Sequence, residues 1–184
     1  MHKKFSRRAR VATGGAVLAV VALAGFGAVS ANASSPATTP SAATSAAAPA
    51  TTTSTHLTID AATEAARAAL DAAEKENQRV TVAVVDRNGN TVVTLRGDGA
   101  GPQSYESAER KAFTAVSWNA PTSQLTERLQ QTPNLKDIPG TLFLAGGVPV
   151  TAGNAPIAGI GVAGAPSGAL DEKFAQAGAL ALGR

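Results

Sequence analysis

Val80-Thr81-Val82-Ala83-Val84-Val85-Asp86-Arg87-Asn88-Gly89-Asn90-Thr91-Val92-Val93-Thr94-Leu95 decides the fold. Two runs rich in β-branched residues flank a polar turn. Asn-Gly is the strongest short-range hairpin signal, because both residues tolerate the positive φ that such turns need. The stretch predicts two adjacent antiparallel strands. Upstream, Thr58 is placed to cap a helix with Asp60 in its first turn, and Ala62, Ala65, Ala66, Ala69, Leu70 and Ala73 recur at helical spacing as far as Glu76 or Asn77. Downstream, Asp98-Gly99-Ala100-Gly101-Pro102 breaks the chain. A helix from Ser104 to Trp118 follows, then a shorter one from Thr122 to Gln131 started by Pro121. Asn134 to Gly140 reads as a loop. Thr141 to Ala145, Val148 to Thr151 and Ile157 to Ala163 read as three more strands, punctuated by Gly146-Gly147 and Gly153-Asn154. An Ala-rich helix from Ser167, with Asp171 and Glu172 in its first turn, closes the chain. The order α-β-β-α-α-β-β-β-α predicts an α+β domain, profilin-like in plan, with helices packed on a five-stranded antiparallel sheet.

Ahead of this domain the sequence changes character twice. Residues 1–33 have the form of a secretory signal peptide: a cationic start from Met1 to Arg10, an uncharged apolar run from Val11 to Val29, and the small-x-small site Ala31-Asn32-Ala33. The apolar run is long enough for a membrane anchor, but its Ala and Gly make it a weakly hydrophobic one. Arg7-Arg8 adds the paired arginines of twin-arginine export. Residues 34–55 are almost entirely Ser, Ala, Thr and Pro, too poor in apolar surface to offset ordering entropy, and read as a disordered spacer. The folded domain is then 56–184. The expected destination is secreted or extracellular, at the cell surface.

The 184 residues carry 16 Lys+Arg and 13 Asp+Glu. Five of the bases lie before Val11 and none of the acids does, so the chain beyond the first segment holds 11 bases against 13 acids. A net of about −2 argues against a polyanion binder, and nucleic acid is not an expected partner. With no Cys in the chain, disulfides, thiolate metal sites and thiol nucleophiles are excluded. One histidine, His56, remains after the first segment, so no His-His metal motif and no Ser-His-Asp relay with a histidine to spare can be assembled within one chain, and hydrolytic catalysis is poorly supplied. A core rich in Ala and Gly and poor in aromatics predicts a homo-oligomer, since small residues let surfaces approach and association buries more area.

Gly159-Ile160-Gly161-Val162-Ala163-Gly164 spells the dinucleotide fingerprint, but too little chain follows for the second strand of a βαβ unit. Glycines that let a strand pack against a neighbouring backbone explain it better. Glu106 and Glu109 stand at i and i+3 on one face of the second helix, a spacing at which two carboxylates can share a hard cation such as ferric iron. Arg110, four residues after Glu106, offers the competing ion pair on a solvated face. Asp71 and Glu74 repeat the spacing beside Lys75.

Val82-Ala83-Val84-Val85-Asp86-x-Asn88-Gly89, Ser107-Ala108-Glu109-Arg110-Lys111-Ala112, Pro139-Gly140, Gly146-Gly147-Val148-Pro149 and Gly159 to Gly164 together resemble the GlcG/HbpS haem-binding protein family, in particular its secreted actinobacterial members. The resemblance covers essentially all of 56–184. It implies an antiparallel α+β domain assembled into a large homo-oligomer, commonly an octamer. It further implies haem binding, ferric iron binding, oxidative haem degradation with iron release, and redox signalling to the ectodomain of a membrane sensor histidine kinase in a two-component system. Carried over by residue, it makes Thr141 the axial ligand of the haem iron, with Arg110 and Lys111 as candidate partners of the propionates. It makes His56, Glu106 and Glu109 iron-binding positions, and it points to an acidic pair at the start of the last helix. There this chain reads Ala169-Leu170-Asp171-Glu172, with Ala169 in place of the first acid. Three functions stay open on the residues: a haem-sensing binder, a haem-degrading enzyme, and a small-metabolite or corrinoid accessory domain.

Overall fold

The computed structural model describes residues 43–183, so the expected signal segment 1–33 and residues 34–42 of the spacer lie outside the described residues. Residues 43–56 are exposed, and Leu57 is the first side chain to pack against the core. Helix α1 (Ile59–Lys75) starts as expected: Thr58 accepts from the amide of Ala61, with Asp60 in the first turn. Strands β1 (Thr81–Asp86) and β2 (Thr91–Arg96) form the hairpin. Helices α2 (Gln103–Trp118) and α3 (Thr122–Arg128) follow, then a 3₁₀ turn at Pro133–Asp137, strands β3 (Gly147–Ala152) and β4 (Ala155–Ala163), and α4 (Gly168–Ala181).

The sheet is antiparallel throughout, in the order β2-β1-β4-β3. Val82 and Val84 pair with Val162 and Ile160, and these four point at α1 and α4, where six buried residues of α1, five of them Ala, meet Phe174. The alternate residues face the other way: Ala83 packs with Ala108 and Ala163, and Val85 with Ala112 and Val116 of α2. The sheet is therefore covered on both faces. Each fully buried Val or Ile contributes about 1.5–3 kcal/mol, against less than about 1 kcal/mol for an Ala methyl, so this core relies on close approach.

The fifth strand expected at Thr141–Ala145 does not form, and the sheet has four strands among the described residues. The segment has strand-like residues but no strand beside it. Its backbone is satisfied locally instead: the Leu142 amide goes to Thr114 Oγ1 and the Phe143 carbonyl to Thr126 Oγ1, while the amides of Thr141 and Leu144 turn back to the carbonyls of Ile138 and Leu142. Gly146, at φ +131°, then turns the chain into β3.

The hairpin turn is held by one carboxylate. Asp86 accepts from the amides of Asn88 (2.8 Å) and Asn90 (2.9 Å) and from Asn90 Nδ2 (3.2 Å). Burial pushes its pKa up, but these bonds, with the nearby charge of His56, outweigh that and hold it below the ordinary 3.8. A lowered carboxyl pKa stabilises the fold above the unfolded value, and that stabilisation is lost as pH falls through the folded one. Asp86→Ala is expected to cost about 1 kcal/mol at neutral pH. In urea melts at a series of pH values, the gap from the parent chain should close below 3.8.

Candidate functional site

The loop between α3 and β3 carries Thr141, and hydroxyl side chains hold it on every side. Thr141 is buried, at 7% exposure, and its Oγ1 donates to the carbonyl of Ile138 at 2.7 Å, so its hydrogen is committed while its oxygen accepts from no described group. Thr114 Oγ1 accepts from the amide of Leu142 at 2.8 Å. On the far side, Thr126 donates to the Phe143 carbonyl at 3.1 Å and Thr122 accepts from the amide of Gly147 at 2.8 Å. Phe143 meets Trp118 edge to face, with ring centroids 5.2 Å apart. Ile138 and Leu144, on either side of Thr141 in sequence, are exposed apolar side chains.

Arg110 is half-exposed on α2 and pairs with Glu106 one turn earlier, as the i, i+4 spacing allows. Glu109 turns instead toward β2, where Thr94 Oγ1 donates to it at 3.3 Å. The two glutamates thus face different partners and do not converge on a common point. His56 is exposed, its Nε2 2.7 Å from Ser54 Oγ. Among the described residues no three His, Asp or Glu side chains are grouped to hold a metal ion.

Three residues expected at the site are engaged inside the protein. Lys111, a candidate propionate partner, is buried: its Nζ lies 2.7 Å from Asp171 Oδ2 and donates to the Val162 carbonyl at 3.0 Å. It points between the sheet and α4, out of reach of an external carboxylate. Asp171, expected to bind iron, is the other half of that pair and also accepts from the amide of Ala165 at 3.0 Å. Burial raises its pKa even though Lys111 and the Ala165 amide favour the carboxylate. Glu172 is half-buried, and its oxygens accept from Ser123 Oγ (2.5 Å), Ser123 N (3.0 Å) and Gly146 N (3.3 Å). It supplies the acceptor that α3 lacks, since Pro121 at the start of that helix has no capping side chain. It also ties α3 to the end of the Thr141 loop. Sequence reasoning passed over Thr114, Thr122 and Thr126, and their positions in helices gave no signal of a loop partner.

Two clefts between α1 and β2, of about 410 and 260 Å³, are lined by residues such as Arg67, Leu70, Glu74, Arg79 and Asp98; Glu74 belongs to the second i, i+3 carboxylate pair, and none of the residues that the family resemblance implies for haem or iron lines them.

A four-stranded antiparallel sheet between helical layers, with a hydroxyl-pinned loop beside the central helix, defines a small α+β domain whose candidate ligand surface lies on that loop. The family model described as haem degrading protein HbpS-like matches residues 57–180. The chain belongs to that family, and its function is haem-related. Among solved structures it is similar to HbpS of Streptomyces reticuli, crystallised as a double glutamate-to-aspartate variant, with 73% identity over 79% of this chain and 100% of that one and a TM-score of 0.76. It is also similar to the ORFY protein of Klebsiella pneumoniae, with 28% identity over 72% of this chain and 94% of that one and a TM-score of 0.68. A third similar structure, PduOC in complex with haem, shows 27% identity over 69% of this chain and 95% of that one, with a TM-score of 0.64.

Proposed function

We propose that this chain is an exported haem-binding protein that works as a homo-oligomer, with Thr141 as the oxygen ligand of the haem iron and Arg110 as a partner of one propionate. One observation carries the assignment: Thr141 gives its hydrogen to Ile138 while its oxygen accepts from no described group, on a loop whose Ile138 and Leu144 are exposed apolar side chains. The residues fit haem chemically. Ile138 and Leu144 can lie against the macrocycle, and the Arg110 guanidinium suits a carboxylate. A neutral hydroxyl is a weak iron ligand, which favours reversible uptake over permanent retention. When bound, haem supplies the redox-active iron, and the protein supplies the ligand, the apolar surface and the counter-charge.

Export rests on the cationic, apolar and small-residue organisation of residues 1–33. Transmission of haem or redox stress to the ectodomain of a membrane histidine kinase rests on the family resemblance. Ferric iron binding rests on the family resemblance and would fall to Glu106 and His56 as separate exposed groups, since Glu109 turns toward Thr94 and the three do not converge. Glu106 and Glu109 are the only two glutamates of this chain three residues apart. Haem degradation is a second reading, favoured by the family's description. It requires an added reductant or peroxide and is read as loss of the Soret band with iron release.

The test is a haemin titration of residues 34–184 followed by absorbance. Saturable binding near one haem per chain is expected, weakened about tenfold or more in Thr141→Ala. Absence of saturable binding would overturn the proposal.

A further inference from the structure

Haem is a rigid planar ligand, so a site that grips its iron at one point and a propionate at another must hold those two protein groups at a fixed separation. Here they sit on different elements, Thr141 on the α3–β3 loop and Arg110 on α2. One hydroxyl joins them. Thr114 Oγ1 donates to the carbonyl of Arg110 at 2.7 Å and accepts from the amide of Leu142, the residue after Thr141, at 2.8 Å. The first bond is the ordinary helical back-bond of a threonine. The second crosses between elements and is the bond that satisfies the Leu142 amide. Thr114 is fully buried, so little water competes for either bond.

We infer that Thr114 is a positioning residue of the haem site, setting where Thr141 stands relative to Arg110, an inference that rests on the haem reading above. Thr122 and Thr126 hold the far side of the loop independently, through Gly147 and Phe143. Loss of the Thr114 bond therefore loosens the loop at Thr141 without releasing all of it. The residue itself need not touch the ligand.

Thr114→Val keeps the shape and removes the acceptor, whereas Thr114→Ser keeps the hydroxyl. In the ligand-free chain, amide hydrogen exchange at Leu142 should quicken by about tenfold or more in Thr114→Val and return toward the parent rate in Thr114→Ser. In haemin titrations, Thr114→Val should weaken binding by about tenfold and shift the Soret maximum, with Thr114→Ser restoring both. A parent chain that binds haemin, with Thr114→Val matching it in exchange, affinity and spectrum, overturns this inference alone. A parent chain that takes up no haemin overturns the haem reading and this inference with it.

Discussion

Lys111→Met is expected to destabilise the domain by about 3–5 kcal/mol, because it leaves the Asp171 carboxylate buried without its cation. Lys111 and Asp171 are 4% and 3% exposed, and their pair joins α2 to α4, with the Val162 carbonyl and the Ala165 amide completing the network. Surface ion pairs such as Lys173 with Glu76 contribute less than about 1 kcal/mol, since water competes for both charges. Inside the fold the balance reverses: replacing the whole pair costs little, but removing half of it costs much. The double variant Lys111→Met with Asp171→Asn removes both charges and keeps an oxygen for the Ala165 amide, so it should be more stable than Lys111→Met alone. Urea melts of the three chains decide this, and a double variant no better than the single would refute the account.

The pH dependence has a definite sign. Burial already raises the Asp171 pKa, and loss of Lys111 raises it further, so the folded variant favours the neutral acid. The deficit of Lys111→Met is therefore full above the folded pKa of Asp171 and shrinks as pH falls through it.

Gly161→Ala is the second large effect, at more than about 3 kcal/mol. Gly161 and Gly159 of β4 and Gly147 of β3 underlie α2, and a methyl group on them would collide with the carbonyls of Ala108, Ala112 and Lys111 respectively. These are backbone atoms of a helix, which cannot rotate aside as a side-chain end could. The helix would have to lift from the sheet along its length, opening the contacts of Ala83, Val85, Ala108 and Ala112. Gly153 is the control: it lies in the β3–β4 turn at φ +59° with open space around it. Gly153→Asn should cost less than about 1 kcal/mol, because Asn tolerates that conformation. Equal melting midpoints for Gly161→Ala and the parent would show that α2 does not seat on the glycines as described.

Those glycines mark how far the sequence could be read. Gly159 to Gly164 carried a nucleotide-binding pattern, and the reading preferred for it, close backbone packing, is borne out by the seat of α2 on Gly159 and Gly161. The hairpin, the cap at Thr58 and the helical spacing of the α1 alanines were legible because each is a local pattern read against a fixed backbone period. Thr141 to Ala145 misled because strand-like composition does not create a neighbouring strand, and threonines of α2 and α3 reached its backbone first.

By itself, then, the sequence determined the α+β class and most of the element boundaries. Tertiary structure alone decided which charged groups are available. Spacing along a helix tells which side chains share a face, as with Glu106 and Arg110. It carries no information about what lies opposite that face. Lys111, Asp171 and Glu172 were expected at the site from the family resemblance, and their partners on β4, α3 and the Thr141 loop, some distant in sequence, draw them inward instead.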